Sequence, residues 1–228
     1  PVIEIEITPN RGDCLGVRGI ARDLAASGIG TLKELKVVEL EGEFESSINW
    51  KVDLKEKEQY LCPKIFGRSF KNLENKQSPV WMKNRLLAVD QRPISSIVDI
   101  TNYIMIDLGR PLHAYDIDKI EGNDLTIKKS KTGEKFYALN GKIYDLDNDM
   151  LVISDKHGVD DLAGIMGGER TGVTESTTHM FLEAAIFDPI SIAQTGRKLN
   201  INSDARYRFE RGLDYESPEL VMNYAASM

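Results

Sequence analysis

The chain has 228 residues, 41% of them hydrophobic and 29% charged, with a formal net charge of −7, enough apolar material for one large or two small packed domains. The acidic balance excludes a protein that coats nucleic acid by bulk charge, so any such contact must come from a local patch. The longest apolar stretch, residues 97–106, is broken by Asp99, Thr101 and Asn102, short of the roughly 20 apolar residues of a membrane helix, and Cys14 and Cys62 alone make neither a disulfide scaffold nor a zinc site.

In chain order, Val2-Ile3-Glu4-Ile5-Glu6-Ile7 alternates and predicts a half-buried strand. Opening on Pro1 inside such a strand, and closing on a helix that reaches Met228 uncapped, predict a piece of a longer polypeptide. No basic-then-apolar leader is visible, so cytoplasm is the expected compartment. Thr8-Pro9-Asn10-Arg11-Gly12 reads as a turn, with Asp13 capping a helix through Val17, Ile20, Ala21 and Leu24 to Gly28. Residues 35–40, 49–54 and 59–69 read as strands. Ser78-Pro79 opens a short helix carrying Trp81, Met82, Leu86 and Leu87, and Ser95 or Ser96 opens another that ends near Gly109. Residues 135–139 and 142–146 flank Asn140-Gly141, a hairpin signal because both residues tolerate positive φ. Further strands are expected over 150–154 and 161–166. A helix opens at Asp188-Pro189 and ends near Asn200, and a last one opens at Ser217-Pro218-Glu219. Without internal repeats, this interleaving predicts a mixed α+β fold with a largely antiparallel sheet and flanking helices.

Short motifs carry little chemistry. Arg11-Gly12-Asp13 is a turn plus cap rather than an adhesion tripeptide. Gly164, Gly167 and Gly168 fit neither a phosphate loop nor a dinucleotide fingerprint, and His113, His157 and His179 are scattered without metal-ligand spacing, so no metal is expected.

Longer strings say more. Arg92-Pro93-Ile94-Ser95-Ser96-Ile97-Val98-Asp99-Ile100-Thr101-Asn102-Tyr103 and Gly109-Arg110-Pro111-Leu112-His113-Ala114-Tyr115-Asp116 resemble the central block of the bacterial phenylalanyl-tRNA synthetase beta subunits. Leu162-Ala163-Gly164-Ile165-Met166-Gly167-Gly168-Glu169, Phe181-Leu182-Glu183-Ala184-Ala185 and Asn202-Ser203-Asp204-Ala205-Arg206-Tyr207-Arg208-Phe209-Glu210-Arg211-Gly212 follow in the family's order, and Ile7-Thr8-Pro9-Asn10-Arg11-Gly12-Asp13-Cys14 precedes them. One departure is Tyr215-Glu216-Ser217, where the family commonly continues with proline. The resemblance implies that residues 1–42 end the family's first module and that 43–228 are its editing domain, which hydrolyses tyrosine mischarged onto phenylalanine tRNA.

It also implies roles. Glu183 would recognise the tyrosine hydroxyl. His113, Thr101 and Asn102 would act on or position the scissile ester, and Ala114, Ala163, Gly164, Gly167 and Ala205 would line the pocket. A hydrolytic second sieve makes sense physically: a pocket that merely tolerates an added hydroxyl discriminates only about 100-fold, whereas one that must hydrogen-bond it rejects the analogue lacking it by roughly 10⁴ to 10⁵. Read without the family, Glu183 is equally a solvent-facing strand residue and His113 a satisfied core histidine. Arg197, Lys198, Arg206, Arg208 and Arg211 concentrate positive charge and are candidates for tRNA phosphates. No cofactor is expected for this stretch; ATP and Mg²⁺ are expected for the full synthetase, with tRNA(Phe) and an alpha subunit in an alpha2-beta2 heterotetramer as partners. The competing expectation is a non-catalytic module that binds tRNA or a subunit.

Overall fold

A computed structural model describes residues 2–228. The molecule is mixed α+β. Strands β1 (Asn49–Asp53), β2 (Lys64–Phe70), β3 (His113–Asp116), β4 (Asp124–Lys129), β5 (Lys135–Tyr137), β6 (Ile143–Asp145), β7 (Leu151–Ser154), β8 (Val159–Leu162), β9 (Met166–Gly167) and β10 (Met180–Ile186) form three sheets. Their orders are β1-β4-β7-β8-β9, β2-β10-β3 and β5-β6, and every pairing is antiparallel except β1 with β4. The helices are α1 (Val17–Ala26), α2 (Val80–Leu87), α3 (Ser96–Leu108), α4 (Pro189–Lys198), α5 (Asp204–Phe209) and α6 (Ser217–Ala226).

Where caps and turns were written into the sequence, the elements form as expected. α3 starts after Ser95 and stops at Gly109, whose φ of 70° is a left-handed C-cap. α4 is capped by the Asp188 carboxylate, which accepts from the Ser191 amide at 2.8 Å, and Asn200 closes its end with φ 52°. Other expectations fail. Residues 2–7 and 35–40 alternate but pair with no strand, and most of their side chains face solvent, because alternation without a partner edge leaves the backbone better hydrated than laddered. Asp13 does not cap α1, which begins after Gly16; its carboxylate is taken by Arg11 and Arg22. The stretch 59–69 is divided, since 3-10 turns occupy Glu56–Leu61 ahead of β2. Likewise 161–166 splits into β8 and β9. The hairpin between β5 and β6 turns over three residues, with the Gly141 amide on the Ala138 carbonyl and the Ala138 amide on that of Lys142. Only Gly141 takes positive φ, 74°, which matches a type I turn closed by a left-handed glycine.

Two apolar clusters meet at β10, all seven of whose residues are buried. Phe181 and Ala185 face the larger cluster, with Tyr115, Ile127, Ile153 and Leu162. Leu182 and Ala184 face the smaller one, with Met82, Ile104, Ala114 and Val221. Glu183, by the period of two, shares the face of Phe181 and Ala185.

Candidate functional site

β10 pairs with β3 so that Glu183 lies opposite His113, with Ala114 opposite Leu182 and Tyr115 opposite Phe181. His113 and Tyr115 are two residues apart and share a face, their rings meeting edge to face at 4.3 Å between centroids. The Tyr115 hydroxyl donates to Glu183 Oε2 at 2.9 Å. The Oε1 atom of Glu183 has no hydrogen-bond partner among the described residues. Burial pushes the Glu183 carboxyl up to about 7, against the Tyr115 bond and the nearby Arg110 charge, which both favour the ionised form.

These groups border a cavity of about 280 Å³ that also receives Thr101, Asn102, Asp161, Gly164, Gly167 and Ala205. Each wall has its own cause. The turn between β8 and β9 depends on Gly164, whose φ is +69° and whose missing Cβ would crowd Phe187, Ile192 and Phe209 at 2.9 to 3.2 Å. A Cβ on Gly167 would collide with His113 Cε1, so the imidazole lies flat against bare backbone. The α5 segment is tied to the same turn by Ser203, whose hydroxyl donates to the Ile165 carbonyl at 2.6 Å and accepts from the Arg206 amide at 3.0 Å; this sets Ala205 at the rim. α3 brings Thr101 and Asn102, and the Thr101 hydroxyl donates to the Val98 carbonyl of its own helix at 2.8 Å, leaving its lone pairs as acceptors. His113 is pushed down to about 4 by burial, so it is neutral at physiological pH.

Thus seven of the nine residues expected at the pocket, His113, Thr101, Asn102, Glu183, Gly164, Gly167 and Ala205, border one cavity. Ala114 and Ala163 do not. Ala114 alternates with His113 along β3 and points into the smaller cluster, and Ala163, between the end of β8 and the Gly164 turn, is buried in the larger.

The arginine patch is also corrected. Arg206 is buried and donates to the Ile201 carbonyl at 2.6 Å, to Asn202 at 2.9 Å and to Glu210 at 3.0 Å. Arg208 is buried as well, donating to the Leu15 and Asp204 carbonyls. Arg211 pairs with Glu210 and lies 3.7 Å from the Tyr207 ring centroid. Of the five, Arg197 and Lys198 are exposed, and Lys198 pairs with Asp147.

Three residues were not singled out in the sequence. Tyr115 is fully buried and holds Glu183. Asp161 lines the cavity. Arg110 is 1% exposed, donates to the Ala185 carbonyl, and has its proton affinity lowered to about 10 by burial. A signal existed for Tyr115, the shared face with His113; Asp161 had only the oddity of two acids in a row before an apolar residue. Among the roomier clefts, those of about 450 and 540 Å³ hold mostly paired charges, Asp13 with Arg22 in one and Arg170 with Asp160 in the other; the first also receives Arg110, whose Nε and Nη1 have no partner among the described residues. Asp13, Cys14 and Asp23 come close enough to hold a cation, but Arg11 and Arg22 already neutralise that cluster.

The sequence pattern that defines the B3/4 domain matches residues 61–228. The phenylalanine–tRNA ligase beta subunit of Paramagnetospirillum magneticum is 54% identical over 94% of this chain and 27% of its own length. That of Bartonella henselae is 54% identical over the whole chain and 28% of its length. Among solved structures, an N-terminal fragment of the phenylalanyl-tRNA synthetase beta-subunit from Pyrococcus horikoshii has a TM-score of 0.47 at 20% identity, covering 78% of this chain and 53% of that one. The chain belongs to the B3/4 domain family, and it spans about a quarter of the length of the curated relatives it matches.

Proposed function

We propose that, as a B3/4 domain closely similar to phenylalanine–tRNA ligase beta subunits, this chain edits: it hydrolyses tyrosine from mischarged tyrosyl-tRNA(Phe). Residues 43–228 constitute the editing domain and 1–42 the end of a preceding module. The observation that carries the reading is Glu183, a buried carboxyl with one oxygen held by Tyr115 and the other without a partner at the wall of a cavity. A buried carboxylate with unused acceptor capacity is costly unless a ligand completes it. A phenol hydroxyl supplies that donor; a phenyl ring leaves Glu183 desolvated and unpaired, which is the basis for selecting tyrosine over phenylalanine.

The aminoacyl ester is already activated, so holding it and a water in place supplies much of the catalysis. Thr101 and Asn102 lie on one helix at the cavity wall and orient the ester and the terminal ribose by hydrogen bonds. His113, neutral and rigidly packed, offers a ring nitrogen to water or ribose. The small side chain of Ala205 leaves room for the aromatic ring, and the bare backbone at Gly167 makes room for the His113 imidazole. ATP and magnesium serve aminoacylation in the full synthetase; the glycines of this chain do not cradle phosphate, because the space at Gly164 and Gly167 is taken by Phe187 and His113. The tRNA and an alpha subunit are the partners of this reading, and cytoplasm its location.

The test is deacylation of tyrosyl-tRNA(Phe) and phenylalanyl-tRNA(Phe) by the chain, alongside Ala205→Trp and Gly167→Trp. Selective release of tyrosine, lost in both variants and with the thermal midpoint little changed in Ala205→Trp, supports the reading. Binding of tRNA without release of either amino acid returns the chain to a non-catalytic module.

A further inference from the structure

His113 and Asp161 form an unexplained pair. The Nε2 atom of His113 is enclosed and has no hydrogen-bond partner among the described residues. Asp161 Oδ2 lies 3.6 Å away, beyond a hydrogen bond as it stands but within reach of a small carboxyl rotation. The Asp161 side chain is 6% exposed, lines the same cavity, and makes no side-chain hydrogen bond among the described residues. A buried carboxyl without a partner is a rare and costly placement. The opposite edge of the imidazole, Cε1 and Nδ1, faces Gly167 at the cavity wall.

We infer that Asp161 is a positioning residue whose carboxyl O–H donates a hydrogen bond to His113 Nε2, the proton staying on the carboxyl, so that His113 presents Nδ1–H as a hydrogen-bond donor to the cavity. This rests on the editing reading for its consequence, though not for its geometry. Neutral imidazole has one donor and one acceptor nitrogen, and the bond made by one decides the role of the other. The titratable groups around His113 are Glu183 from β10, Tyr115 from its own strand and Asp161 from β8; Asp160, paired with Arg170, acts at longer range on Asp161, and Arg110 acts on Glu183. Burial and the Glu183 charge hold Asp161 well above the usual carboxylate range, and burial holds His113 neutral. In that state Asp161 has an O–H to donate, and a His113 proton at Nε2 would leave that O–H without an acceptor among the described residues, whereas a proton at Nδ1 makes Nε2 the acceptor. A donor at Nδ1 suits an oxygen that gains negative charge, the ester carbonyl or the ribose leaving oxygen, more than it suits a water awaiting deprotonation.

Nitrogen-15 NMR of the intact chain labelled at histidine reads this directly, with three histidines to resolve and His113→Gln for assignment. The expected spectrum has His113 neutral at pH 7, protonated at Nδ1, and Asp161→Leu moves it to the other tautomer or a mixture. In parallel, Asp161→Leu and Asp161→Asn are assayed for deacylation: leucine is expected to lower kcat about 10²-fold at little changed KM, whereas asparagine, whose amide N–H still donates to Nε2, retains most of the activity. A protonated Nε2 in the unaltered chain overturns the inference, as does a higher KM at unchanged kcat in both variants, which makes Asp161 a binding residue. Should the unaltered chain release no tyrosine, the editing reading fails while the tautomer result still decides the placement of the proton.

Discussion

Two groups of buried charge in the same molecule behave oppositely. Around α5, Arg206 and Arg208 are buried, but their guanidiniums donate to carbonyls and to Glu210 or Asp204. Around β10, Glu183 and Asp161 are equally buried, yet Glu183 has one donor and Asp161 none. The first group is complete without a ligand and holds helices in place. The second is incomplete and borders a cavity. Burial of charge alone says nothing of function; hydrogen-bonding capacity left unused at a cavity wall does.

Four measurements break or sharpen that contrast. The largest effect is expected for Glu183→Ala, which removes the acceptor: selectivity for tyrosyl over phenylalanyl ester falls from roughly 10⁴ toward unity, measured by parallel deacylation. Next, Arg206→Ala severs several buried bonds at once and is expected to cost about 3 kcal/mol in urea unfolding; a variant as stable as the parent would mean that its contacts are not structural. Third, Glu183→Gln is expected to stabilise. With its proton affinity raised in the folded state to about 7, Glu183 binds its proton more tightly folded than unfolded, so its contribution is fully present below about pH 4.5 and is lost as pH rises through 7. The glutamine variant should therefore gain about 3 kcal/mol at pH 8 and nothing at pH 4, read from thermal midpoints at both pH values. The smallest effect belongs to Arg197→Ala, an exposed residue: stability unchanged within about 0.5 kcal/mol, and the salt dependence of tRNA binding lowered by at most about one counterion.

Legibility in the sequence followed the physics of each element. Caps and turn residues act within a few positions, so α3, α4 and the hairpin at Gly141 could be read directly. Strands need partners that lie elsewhere in the chain. Residues 2–7 have the right alternation and no neighbour, whereas β10, buried on both faces, is apolar at every position but Glu183, so its period is hidden. β3 and β4 went unassigned for the same reason. At the site, the family resemblance located residues along the chain but not their direction: Ala114 misses the cavity by one position, half a pleat, and Ala163 is buried in the larger cluster at the turn. Tyr115 and Asp161 are brought to Glu183 and His113 only by sheet pairing and by the turn at Gly164.

Trp50 on β1 packs against Phe181 with ring centroids 5.3 Å apart, two residues along β10 from Glu183. The other tryptophan, Trp81, is 46% exposed on α2. With Trp81 replaced by Phe, the native emission of the molecule comes from one indole seated behind the recognising strand. Ligand entry and strand displacement then become visible as a change in colour and intensity, with no dye attached.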